Sequence, residues 1–410
     1  MAKDIDVLQR QLLKWSLLNL VMVAASGLIL RAWPLMNGMP FVFKNALHAH
    51  SHFAFGGWVL PIITWLIMRY FPVPVQKLSF HHWRNIIVLM LFSSYGMLVS
   101  FPFNGYDIFS IIFSTISLGA SVYLAIVLWK AMAGMNSIAV KYLRAALVFM
   151  ILSSIGPLST GPLIATGMAG TTLYFNAIYF YLHFQYNGWF TFALLAVLYQ
   201  FAGIHSQRMA ALAFVLLTAG CTITFFLSVL WNSPGIFFNI SGAAGAILQL
   251  AGFYFLCRSI KISRNGFTSR LIILALTVLG VKFLLQLAGS LPIAASMAYE
   301  NRNLIIAFLH MVLLGFVSML SIAFIPGKEK QIFHPRFKTG TGYFIFSLVS
   351  TELLLVGNTV YGFYGGSLVY FNELMVIASI PFLAGACMIF HSVVETRLRL
   401  QSILSIRISR

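Results

Sequence analysis

Residues Leu47–Trp58 read LHAHSHFAFGGW and open an apolar run long enough to cross a bilayer. A hydrocarbon core of ~30 Å needs ~20 apolar residues in a helix. Only a helix can satisfy its backbone within such a segment. The stretch therefore predicts an all-α membrane protein. It also raises a chemical question, because His48, His50 and His52 stand at the head of the run. An ionisable side chain inside a membrane costs free energy and marks a functional site with a partner.

The composition agrees with that fold class. Of 410 residues, 60% are hydrophobic and only 8% are charged, with a mean hydropathy of +0.91; soluble domains carry about 25% charged residues. Twelve spans can be read along the chain, at 13–30, 47–68, 85–102, 108–129, 142–157, 172–200, 209–231, 238–257, 271–290, 303–325, 341–363 and 370–391. Turns such as PVPVQ, GPLSTGP and NSPG separate them. No hydrophilic stretch is long enough for a second domain, so residues 1–410 read as one integral membrane domain. The N-terminus, MAKDIDVLQRQLLKW, lacks the pattern of a cleaved signal peptide. Cys221, Cys257 and Cys387 form no CxxC or CxxCH motif and read as buried packing residues.

The net charge of +18 is a topology signal rather than a sign of nucleic-acid binding. Of the 26 Lys and Arg, all but Arg31, Lys44, Lys282 and Arg302 fall at the termini or in every second loop. That asymmetry places both termini in the cytoplasm, with anionic lipid as a further contact.

Under this topology the ten histidines divide. His81, His82, His205, His334 and His391 fall in or beside cytoplasmic loops, as solvated residues. His48, His50, His52, His183 and His310 fall in spans two, six and ten, roughly 5–17 Å below the outer membrane edge at 1.5 Å per residue. One cofactor layer accounts for that common depth. Helical spacing puts His48 and His52 on one face and turns His50 nearly opposite, so the three cannot grip one target together. A low-spin haem would take His310 and one of the three as axial ligands. Gly56 and Gly57 would allow a close approach. Lys44, Arg31 and Arg302 would neutralise haem propionates or serve as interfacial anchors.

Span six contains LYFNAIYFYLHFQYNGWF (Leu173–Phe190), in which Asn176, Tyr179, His183 and Tyr186 recur at helical spacing. His183 reads either as a copper or non-haem iron ligand, with Tyr179 and Tyr186 as proton-handling neighbours, or as a hydrogen-bonded packing residue. Lys282 and Glu352 are the remaining intramembrane charges; they read as a pair or as parts of a proton path.

Taken together, these features resemble subunit I of the haem-copper oxidase superfamily, nearest its cbb3-type and nitric oxide reductase branches. FAFGG (Phe53–Gly57) is similar to the span-two pattern of cbb3 oxidases, HFQYNGWF (from His183) to the span-six metal region, and LHMVLLGFVS (Leu309–Ser318) to the span-ten haem motif. HAHSHFAFGG also resembles a motif of NnrS-type haem- and copper-containing membrane proteins. The resemblance implies a b-type haem on His310 and a span-two histidine, with copper or non-haem iron as a further metal. It also implies a cytochrome or cupredoxin electron donor, other respiratory subunits, and a place in a bacterial inner membrane. Three departures from the family pattern argue against oxygen reduction. Phe308 stands where the high-spin haem ligand is expected, span seven (MAALAFVLLTAGCTITFFLSVLW) lacks a histidine pair, and YGGSLVYFN lacks paired arginines.

The leading expectation is thus a haem protein of respiratory electron transfer or nitric oxide handling, an oxidoreductase if it is an enzyme. The alternatives are a proton-coupled secondary transporter and a copper- or zinc-binding membrane protein without haem. No similarity between residues 1–205 and 206–410 is evident to support the transporter repeats.

Overall fold

The structure is a computed structural model that describes residues 2–263, 265–326 and 335–408; the loop histidine His334 lies outside them. Eleven helices among the described residues are long and apolar enough to cross a membrane, one fewer than the twelve spans expected. In chain order they are α1 (Ala2–Ala32), α2 (Phe43–Tyr70), α3 (Phe80–Asn104), α4 (Ile108–Ala131), α5 (Ile138–Ala165), α7 (Gln207–Asn232), α8 (Ile236–Ser259), α9 (Phe267–Ala288), α10 (Arg302–Phe324), α11 (Pro335–Gly362) and α12 (Phe371–Ile408).

The expected sixth span is the difference. It is an unbroken helix, α6 (172–201), made of Thr172–Leu182, His183–Phe190 and Thr191–Phe201. Asn176, His183, Gln185 and Asn187 keep it out of the strongly apolar class. It nevertheless lies antiparallel to α7 along its length. Asn176 accepts a hydrogen bond from Trp231 Nε1 at 3.0 Å near one end. Near the other, the Tyr142 ring packs on both Tyr199 of α6 and Phe214 of α7. Beyond α6, β1 (Gly203–Ile204) pairs antiparallel with β2 (Ile260–Lys261), which follows α8. That ladder fixes the trailing ends of α6 and α8 at one level.

Local chemistry explains where helices start. Ser79, Ser137, Thr171 and Ser206 are N-caps whose hydroxyls accept the backbone N–H of His82, Val140, Tyr174 and Met209, satisfying donors that a helix leaves open. Two expected turns are helical instead. PVPVQ lies in a short helix, Pro72–Lys77, because proline at the first helical position loses no intrahelical bond. GPLSTGP continues α5 as Ile155–Ala165, after a break at Ser154. NSPG is a true turn, with Ser233 and Gly235 both at positive φ.

The chain divides into two compact units, one of residues 1–69, 79–120 and 324–410, the other of residues 70–78 and 121–323. In the first unit α11 and α12 cross on small residues. A Cβ on Gly340 would lie 2.8 Å from the Gly385 carbonyl oxygen, the close backbone approach on which membrane helices rely when apolar burial gives no net drive. Ser347 Oγ donates to the Ala378 carbonyl, and Arg336 pairs with Glu395 at 2.9 Å at one end of the crossing. In the second unit α7 and α8 meet in the same way, through Gly220, Gly245 and Gly252. The expected burial of all three cysteines is corrected: Cys221 is buried, while Cys257 and Cys387 are exposed on helix surfaces.

Candidate functional site

The helices that carry His48–His52, His183 and His310 share a local irregularity. Each widens into a π-helical turn at or just after its histidine, at Ala54–Val59 in α2, His183–Phe190 in α6 and Met311–Ser318 in α10. Such turns are rare and gather at functional sites. The sequence carries a matching pattern, His-x4-Gly-(Trp/Phe), at His52–Trp58, His183–Trp189 and His310–Phe316. All three aromatic residues are buried. This recurrence falls once in each third of the chain, outside any two-fold division of the sequence.

A π turn disturbs the backbone ladder, and each is stabilised by a side chain. Thr191 Oγ1 donates to Tyr186 O at 2.7 Å and Ser318 Oγ to Leu313 O at 2.8 Å. Both sit eight residues after their histidine. In α2 that place is Leu60, and Asn19 of α1 acts instead. Its Nδ2 donates to Gly57 O at 2.6 Å, while Tyr95 donates to Asn19 Oδ1 at 2.6 Å.

Within the first unit, the LHAHSH histidines take two faces. His48 and His52 pack against Phe101 and Tyr106. The His52 ring stacks on Phe101 at 4.6 Å, its Nε2 lies 2.8 Å from the Tyr106 hydroxyl, and the His48 ring meets Tyr106 edge-on at 4.9 Å. His50 faces α1. Its Nδ1 is 2.8 Å from Ser26 Oγ, and a Cβ at Gly27 would come within 3.2 Å of its Cε1, so glycine lets the imidazole lie against the α1 backbone. Nδ1 is thereby fixed and Nε2 is left for another ligand.

The nearby cations divide as well. Arg31 is half-buried and lies in electrostatic reach of both His50 and Glu352. Lys44 is exposed, one turn before His48. Arg302, in the second unit, is exposed at the start of α10.

In the second unit His183 is 1% exposed and bonded at both ring nitrogens. Nε2 donates to the Cys221 carbonyl at 2.8 Å, so Nδ1 of the neutral ring accepts; Asn187 Nδ2 and Ser228 Oγ each lie 3.1 Å away. As folded, His183 ties α6 to α7, and coordinating a metal would require it to give up one of these bonds. Tyr179 lies beside Trp231 and Tyr299, and Tyr186 is in electrostatic reach of Cys221, Tyr179 and Tyr299. Lys282 is 1% exposed, with Cys221 and His183 as its electrostatic neighbours. His310 closes the first segment of α10 and is half-buried, with Nδ1 directed inward.

Among the described residues no three His, Cys, Asp or Glu side chains gather closely enough to hold a metal ion by themselves. A cofactor carrying its own equatorial donors needs only axial imidazoles. No protein-family model matches this chain, and no curated protein matches it.

Proposed function

We propose that this chain is a haem-binding integral membrane protein that handles electrons or a small gas such as nitric oxide, without reducing oxygen. The observation that carries the reading is the His-x4-Gly-aromatic π turn repeated on α2, α6 and α10, which singles out the helices that bear intramembrane histidines. His50 has the donor arrangement of an axial ligand. A ligating imidazole commonly holds its second nitrogen in a hydrogen bond that sets ring orientation, and Ser26 supplies one. His52, stacked on Phe101 and bonded to Tyr106, supports the turn. His310 is the candidate axial imidazole of the second unit, on the span-ten resemblance. The absence of CxxCH favours non-covalent, b-type haem. Haem held by these residues would supply one-electron chemistry, and one held by a single imidazole would also offer an iron site for a diatomic gas. The protein contributes oriented imidazoles, and Arg31, Lys44 and Arg302 as cations for propionates. A cytochrome or cupredoxin donor and a bacterial inner-membrane location complete the proposal.

The test is an optical spectrum with iron, copper and zinc analysis on purified protein, for the parent and for His50→Ala, His310→Ala and His183→Ala. The expected result is a Soret band that His50→Ala and His310→Ala abolish or shift and His183→Ala leaves in place. Copper or zinc without a Soret band would replace this reading with metal binding alone.

A second reading, proton-coupled transport, is favoured by one observation: Lys282 Nζ and Glu352 Oε1 are buried without hydrogen-bond partners. Absence of haem and metals, together with pH-driven uptake into vesicles, would establish it instead.

A further inference from the structure

Lys282 lies in the second half of α9, 1% exposed, and its Nζ makes no hydrogen bond. The nearest ring, Phe283, has its centroid 4.6 Å from Nζ. A ring face recovers only a small part of the cost of burying an ion. A charged amine here needs an anion, and the second unit cannot supply one from its own side chains. Residues 70–78 and 121–323 contain a single acidic residue, Glu300. That carboxylate is exposed and already accepts Ser296 Oγ at 2.6 Å.

Other unsatisfied polar groups share this layer. Gln286 stands one turn beyond Lys282 on α9, 8% exposed, with Oε1 unpartnered. Gln249 of α8 is 2% exposed, also with Oε1 unpartnered. Phe253 of α8 packs on Gly280 and Phe283 of α9, and the antiparallel run of the two helices brings Gln249 level with Gln286. Gln249 in turn lies against Gly220, whose neighbour Cys221 is in electrostatic reach of Lys282. An amide end can present N–H donors or its oxygen by a half-turn of the group. A buried ammonium without a partner and two buried amides whose oxygens lack one offer, once the amide ends are turned, a donor set for one negative charge.

We propose that Lys282, with the amides of Gln249 and Gln286, forms a buried binding site for a small monovalent inorganic anion, a halide or a compact oxyanion. A single fixed positive charge matches a single negative one, which disfavours doubly charged anions such as sulfate.

The test uses the full-length protein, purified in detergent with gluconate as the only anion, at constant ionic strength. Radiolabelled iodide binding is measured, along with the melting temperature in chloride and in nitrate. The expected result is saturable iodide binding and a higher Tm in chloride or nitrate than in gluconate. Both effects should disappear in Lys282→Met, and affinity should fall about 10-fold or more in Gln286→Leu. The absence of saturable binding to the parent protein would overturn the proposal, as would undiminished binding by Lys282→Met. If Lys282→Met does not fold, unchanged affinity in both Gln286→Leu and Gln249→Leu would overturn it equally.

Discussion

Replacing Gly188 with alanine tests whether the π turn of α6 is held by contact with α5. A Cβ at Gly188 would lie 2.6 Å from Phe149 Cβ and 2.7 Å from its Cγ. The Phe149 Cβ is fixed to the backbone and cannot rotate away, so the helices would have to separate by about 1 Å to reach ordinary contact at 3.5–4.0 Å. Phe149 is 4% exposed and stacks on Phe184 with centroids 5.7 Å apart, so separation loosens that stack as well. Overpacking a tight core costs about 1–3 kcal/mol, and a clash at the backbone end of a side chain belongs in the upper half of that range. The helix preference of alanine over glycine returns at most about 1 kcal/mol. The net loss of about 1–2 kcal/mol corresponds to roughly 5- to 30-fold in the unfolding equilibrium. Gly57→Ala should cost less, since its Cβ would meet the ring of Phe53 at 2.7 Å rather than backbone-proximal atoms. Gly342→Ala, with nothing within 4 Å, should be neutral or stabilising. Reversible unfolding in mixed micelles, followed by tryptophan fluorescence, would rank the three variants. A Gly188→Ala protein as stable as Gly342→Ala would refute the reasoning.

Three further predictions follow from single contacts. Asn19→Ala strips partners from the Tyr95 hydroxyl and the Gly57 carbonyl, and should lower stability by about 1–3 kcal/mol in the same assay. Ser16→Ala, which removes only a bond back to Leu12 O in its own helix, should cost less. Ser26→Ala frees His50 Nδ1, and should weaken haem retention about 10- to 100-fold in a haem-transfer assay if His50 ligates iron; unchanged retention would remove His50 from the ligand set. In a cysteine-free background, Ser206→Cys and Ser263→Cys should react with an impermeant maleimide from one side of the membrane and Ser233→Cys from the other. Labelling of residues 206 and 233 from the same side would show that α7 does not cross.

The all-α membrane fold was legible because hydropathy and helix length are properties of short segments. The start of α6 could be read from Thr171 as surely as those of its neighbours. The twelve spans read from the sequence and the eleven strongly apolar helices differ only at α6, because of chemistry that serves tertiary packing. The polar stripe through Asn176, His183 and Asn187 lowers hydropathy, yet Asn176 and His183 find partners in Trp231, Cys221 and Ser228 on the adjacent helix, a pairing no local window contains. The split of His48 and His52 from His50 followed from helical spacing alone. That His50 would meet Ser26 and Gly27 depended on how α1 packs against α2, which spacing cannot give. Lys282 and Glu352 read in the sequence as a pair or as parts of a proton path, because each is a lone charge in its span. Within its own unit Glu352 has Arg31 as an electrostatic neighbour, and within the other Lys282 has Cys221 and His183. The widened turns were the least legible feature, since hydropathy windows do not distinguish π from α geometry.

Those turns act as a phase setting. A π turn holds one residue more than the α-helix it interrupts, so the segment before it is rotated by roughly 100° relative to the segment after it, compared with a regular helix. Deleting a single residue within Ala54–Val59 would restore regular winding and swing His50 away from Ser26, while the buried half, Leu60–Tyr70, kept its own face. The inserted residue therefore uncouples two choices that a plain helix must make together: which side anchors the span in the bundle, and which way its imidazoles point.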